Sequence, residues 1–77
     1  MNYHQAQRAL TSGLTLYTVC YLGNNHDIKF IIKPLSIRKS IDNITRQPIL
    51  KVTYYSDYIK QEISRKLPLE QEFLLEG

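Results

Sequence analysis

The chain has 77 residues, 43% of them hydrophobic and 22% charged, a globular composition that excludes a disordered or low-complexity chain. A single cysteine, Cys20, excludes an intramolecular disulfide, and no unbroken apolar run approaches the roughly 20 residues needed to cross a bilayer. The net charge of +3 is unevenly spread: residues 1–28 balance, residues 29–51 carry Lys29, Lys33, Arg38, Lys39, Arg46 and Lys51 against Asp42 alone, and residues 52–77 hold more acids than bases.

Residues 2–11 lack helix breakers, and Ala6, Ala9 and Leu10 form one short apolar stripe, which predicts a weak helix ended by Gly13. Leu14 to Leu22 gives the strongest strand signal, with Leu14, Leu16, Thr18, Cys20 and Leu22 on one face and Thr15, Tyr17, Val19 and Tyr21 on the other. Both faces are largely apolar, which predicts a central strand. Gly23 to Asp27 is a turn cluster, and Ile28 to Lys33 alternates as the second strand of an antiparallel hairpin. Pro34 ends that strand or marks an edge.

Ile37, Ile41 and Ile44 sit at i, i+4 and i+7, and Ser36 can cap a helix, so residues 36–45 favour a short helix over an irregular strand. Ile49 to Tyr55 reads as a third strand. Ser56 or Asp57 then caps a helix through about Lys66, with Ile59, Ile63 and Leu67 as its buried stripe and Glu62–Lys66 as an i, i+4 pair. Pro68 stops it before a short helical tail. The fold class expected is α+β: a single domain over 1–77 with a small three-stranded antiparallel sheet and short helices packed on it.

No catalytic constellation is present. The glycines at 13, 23 and 77 make no phosphate loop. Cys20 lies on a leucine face and is expected to be a buried, inert thiol rather than a nucleophile paired with His4 or His26. Two histidines and one cysteine at these spacings match no zinc site. Glu70 and Glu72 sit where acids commonly favour a helix start. A binding role without cofactor or metal is therefore expected, and not an enzyme. With no export signal in Met1–Leu10 and one reduced cysteine, the expected compartment is the cytoplasm.

Two surface features carry the functional expectation. Tyr17, Val19 and Tyr21 share one strand face and form an apolar protein-binding patch if no helix covers it. Lys29, Lys33, Arg38, Lys39, Arg46 and Lys51, followed by Tyr54, Tyr55 and Tyr58, form a basic patch if the second and third strands are neighbours. The leading expectation is a protein-binding module whose partner is another protein or a protein–nucleic-acid complex. By size and absence of chemistry alone, with no motif behind it, that suits a phage or mobile-element inhibitor of a host machine, such as an anti-CRISPR protein. The alternative is a small basic nucleic-acid-binding protein. No membrane partner is expected. The apolar end, Leu67 to Leu75, either docks on the sheet or supports self-association.

Overall fold

The computed structural model describes residues 1–22 and 27–76. Its elements are a helix, α1 (Tyr3–Thr11), and strands β1 (Leu16–Leu22), β2 (Ile28–Ile32), β3 (Pro34–Ile41), β4 (Pro48–Ser56), β5 (Gln61–Leu67) and β6 (Leu74–Leu75). The strands form two three-stranded antiparallel sheets, ordered β2-β1-β6 and β3-β4-β5. The turn expected over Gly23–Asp27 lies, apart from Asp27, outside the described residues.

Local chemistry explains α1. Asn2 Oδ1 accepts from the Gln5 backbone N–H at 2.9 Å, and Gln5 Oε1 accepts from the Asn2 N–H at 3.0 Å, a reciprocal capping box. At the other end the Leu14 N–H donates to the Ala9 carbonyl and the Gly13 N–H to Leu10, both at 3.0 Å. That double closure needs the left-handed residue Gly13, whose φ is +83°. The small side chains Ala6 and Ala9 let the helix sit close to the strands. Gln7 Nε2 fastens it by donating to the Ile37 carbonyl at 2.8 Å.

The two sheets are joined where β2 runs into β3 through Lys33. Pro34 cannot donate a ladder hydrogen bond, and the register against β4 shifts between Pro34 and Ser36, leaving Leu35 as an extra residue. A proline and a bulge together bend a strand and carry it from one sheet into the next. The inward faces of both sheets then share one core: Leu16, Cys20, Ile32, Ile37, Leu50, Val52, Tyr54, Leu67 and Phe73, with Ala6 and Ala9 of α1.

The expected α+β sheet with short packed helices is corrected here. Residues 36–45 are β3 and a turn, and residues 56–66 are the last residue of β4, a turn and β5. Both expected helices rested on apolar residues four apart. Four is an even number, so Ile37 and Ile41, or Ile63 and Leu67, also share one face of a strand. Ile44 and Ile59, which completed the helical stripes, lie in turns at 87% and 46% exposure. Lys60, at φ +57°, turns the chain back, and its N–H donates to the Ser56 carbonyl at 2.7 Å. The three expected strands exist, but β1 and β2 belong to one sheet and β4 to the other.

The chain end is built into the core rather than forming a helical tail. Phe73 is fully buried, and Met1 and Phe73 exchange two backbone hydrogen bonds, at 2.7 and 3.0 Å. Thr18, also fully buried, donates to the Glu72 carbonyl at 2.6 Å and accepts from Gln71 Nε2 at 2.6 Å, while the same Gln71 nitrogen donates to the Val19 carbonyl at 2.9 Å. Thr18→Val keeps the shape but takes the hydroxyl donor from the Glu72 carbonyl and one of the two acceptors from Gln71 Nε2. It should cost about 1–3 kcal/mol in urea denaturation, and a neutral result would show that the knot does not hold the tail.

Candidate binding surfaces

The outward side chains of the first sheet are set by β1 alternation. Leu16, Thr18 and Cys20 point inward, so Tyr17, Val19 and Tyr21 point out. Register places Leu74 opposite Tyr17, Ile31 opposite Val19 and Lys29 opposite Tyr21. Tyr21 is 54% exposed, Ile31 59% and Leu74 37%, with Tyr17 and Val19 half-buried. The helix α1 packs on the opposite, core side, so no described element covers this face. The result is an apolar patch wider than the sequence suggested, because Ile31 and Leu74 join it. The strand of Ile31 could be read, but that of Leu74 was expected as a helical tail, and the pairing that sets the two beside Val19 and Tyr17 could not be read.

Cations border the patch. Lys29 and Lys33 lie on the same side of the chain as Ile31. Lys33 Nζ donates to Glu76 Oε1 at 2.9 Å, an exposed pair that contributes little. Around the corner made by Pro34, Phe30, Ile31, Lys33, Tyr54, Tyr55 and Tyr58 line an open groove of about 600 Å³. Tyr58 is 96% exposed on its rim.

The six cations of the basic middle do not gather in one place. Strands β2 and β4 are in different sheets with β3 between them. Lys29 and Lys33 border the apolar patch. Arg38 and Lys51 pair across β3 and β4 on the outer face of the second sheet, and Lys66 of β5 extends the row. Lys39 points to the other face of β3, opposite Leu50, and is exposed. Arg46 sits in the β3–β4 turn at φ +61°. Asp42 braces that turn. Its carboxylate accepts from the Ile44 N–H at 2.8 Å, which with Lys66 at 3.7 Å holds it below the usual carboxylate range.

Cys20 is inside, at 5% exposure. Burial pushes its thiol pKa up, against a smaller opposing effect of the Arg65 charge. The Arg65 guanidinium lies 4.8 Å from the centre of the Phe30 ring, a cation–π contact at the seam between the sheets. Cys20 should resist thiol reagents without denaturant. Because the unfolded thiol ionises first, stability should also fall as pH rises past the ordinary thiol range and on towards the raised folded value. Cys20→Ala should flatten that alkaline slope. Fast native-state labelling would contradict the burial.

His4 is exposed on α1, and His26 lies outside the described residues. Glu70 and Glu72 are exposed in the connection before β6. Among the described residues no helix is long and apolar enough to cross a membrane. The chain matches no known protein-family model, no curated protein and no solved structure.

Proposed function

We propose that this protein is a non-enzymatic binding module that docks onto a larger protein through the outer face of its first sheet. The observation that carries the reading is the uncovered patch of Tyr17, Val19, Tyr21, Ile31 and Leu74, bordered by Lys29 and Lys33. Large aromatic and aliphatic side chains at the centre with charges at the rim are the anatomy of a protein interface. The lysine border selects a partner surface with an apolar centre and acidic surroundings. A chain this small acts on such a partner by occlusion, and inhibition of a larger machine is the form of action we propose. The cytoplasm is the proposed compartment, because a free buried thiol suits a reducing environment.

A photo-reactive residue at position 21, on the patch, and another at position 53, on the second sheet, test this directly. A partner that cross-links from position 21 and not from 53 supports the reading. Cross-linking only from 53 overturns it. Sedimentation velocity separates the remaining case, in which the occupant of the patch is a second copy of the chain.

A further inference from the structure

We infer that the outer face of the second sheet binds single-stranded nucleic acid, with backbone phosphates on the row Arg38–Lys51–Lys66 and a base stacked on Tyr55. This does not rest on the protein-binding reading: the cation row lies on the second sheet, and the two surfaces meet only at the groove that Tyr55 and Tyr58 share with Ile31 and Lys33.

The row follows from the ladder. Arg38 stands directly opposite Lys51, and Lys51 directly opposite Lys66, and side chains so paired have Cβ atoms about 4.5–5.5 Å apart. All three residues are exposed. Like charges in that arrangement destabilise a sheet, so packing gives no reason for them. Three carboxylates lie near the track: Asp42, 3.7 Å from Lys66 Nζ, Glu62, opposite Tyr55, and Asp57, which lines one groove with Tyr55 and Tyr58. Among the described residues Arg38 and Lys51 are in no ion pair.

The neighbouring row on the same face is Ser36–Thr53–Ser64, in which the Thr53 and Ser64 hydroxyls are 3.0 Å apart. Hydroxyls are common phosphate contacts and add no charge. Tyr55, 50% exposed, follows on the same face of β4, four residues or about 13 Å from Lys51 along the strand. Tyr58 stands in the next turn. A cationic track with exposed aromatics beside it is how proteins hold single strands without reading sequence.

The other anionic partners fit less well. The cations lie across three paired strands, one on each, rather than along one helix or two-stranded ribbon of the kind that enters a duplex major groove. A membrane surface would need a set of exposed apolar side chains beside the cations to enter the acyl boundary; this row has Ser36, Thr53 and Ser64 on one side and Ser40 with a single half-buried aliphatic, Ile49, on the other.

Fluorescence anisotropy with labelled oligothymidylate and oligouridylate of about 12 nucleotides tests the proposal. The expected result is binding at low salt, with a slope of log K against log salt of about −2, since each of three phosphate contacts contributes about −0.7. Lys51→Gln should reduce that slope by about 0.7 and weaken binding, while the variant melts no lower than the parent. That combination separates a binding role from a structural one. Tyr55→Ala should weaken binding about fivefold or more, and Tyr55→Phe should restore it. Absence of binding by the parent at low salt, an unchanged slope in Lys51→Gln, or binding only to phosphatidylserine vesicles would each overturn the proposal.

Discussion

Phe73→Ala is expected to unfold the protein under conditions in which the parent is native. Phe73 is the largest fully buried side chain and closes the core between the sheets. Truncating a buried phenylalanine costs about 3–5 kcal/mol, and a domain of this size has about 3–5 kcal/mol in total. The two magnitudes are equal, so little folded population should survive. Alanine keeps the two backbone hydrogen bonds between residue 73 and Met1, but without the buried ring the segment that makes them loses its apolar anchor, and Met1 leads into the cap of α1. Phe73→Leu, which keeps most of the volume, should remain folded at a cost below about 1.5 kcal/mol. Far-UV circular dichroism with urea titration measures both. A native Phe73→Ala variant with a midpoint near that of the parent would show that the chain end is not part of the core.

Tyr21→Ala should leave the fold intact, because the side chain is half-exposed on the outer face, and should damage partner binding strongly. A tyrosine at an interface centre can cost about 2 kcal/mol or more when truncated, roughly thirtyfold in affinity. Most of that change belongs in the dissociation rate. The bordering cations should behave differently. An exposed ion pair contributes about 0–1 kcal/mol, so Lys29→Ala should mainly slow association and reduce its salt dependence. Arg38 and Lys39, near Lys29 in sequence, should have little effect on this interface, because β3 carries them into the second sheet. Surface plasmon resonance on the purified pair separates the rates. Silent tyrosine changes beside dominant Lys29 effects on dissociation would mean an ionic contact in place of an apolar one.

The sequence was legible where alternation was strict. Leu16, Thr18 and Cys20 against Tyr17, Val19 and Tyr21 could be read as two faces of one strand, and the structure keeps that division. The buried position of Cys20 followed from it. The helix at the start was also visible, although the Asn2–Gln5 capping box that fixes it went unread. What failed was the choice between helix and strand for β3 and β5. Ile37 with Ile41, and Ile63 with Leu67, satisfy both periods. Arg65 between Ile63 and Leu67 was the informative residue, because on a strand it shares their face and must find a partner such as the Phe30 ring. Pairing was hidden for a different reason. The bend at Pro34 and Leu35 sends β3 into a second sheet, and only that topology sets Arg38, Lys51 and Lys66 in a row. Lys66, assigned to a helix end by its pairing with Glu62, therefore escaped the candidate site.

The most direct test of the protein-binding face compares what the parent, Ile31→Lys and Lys51→Gln each capture from a lysate of the source cells, with quantification by mass spectrometry. Ile31 is the most exposed aliphatic side chain of the patch, at 59%, so a lysine there leaves the core untouched and puts a charge at the centre of the interface. The expected result is a protein held by the parent and by Lys51→Gln and lost from Ile31→Lys, with all three chains folded. A partner held equally by Ile31→Lys and the parent would contradict the assignment of the first sheet as the binding face.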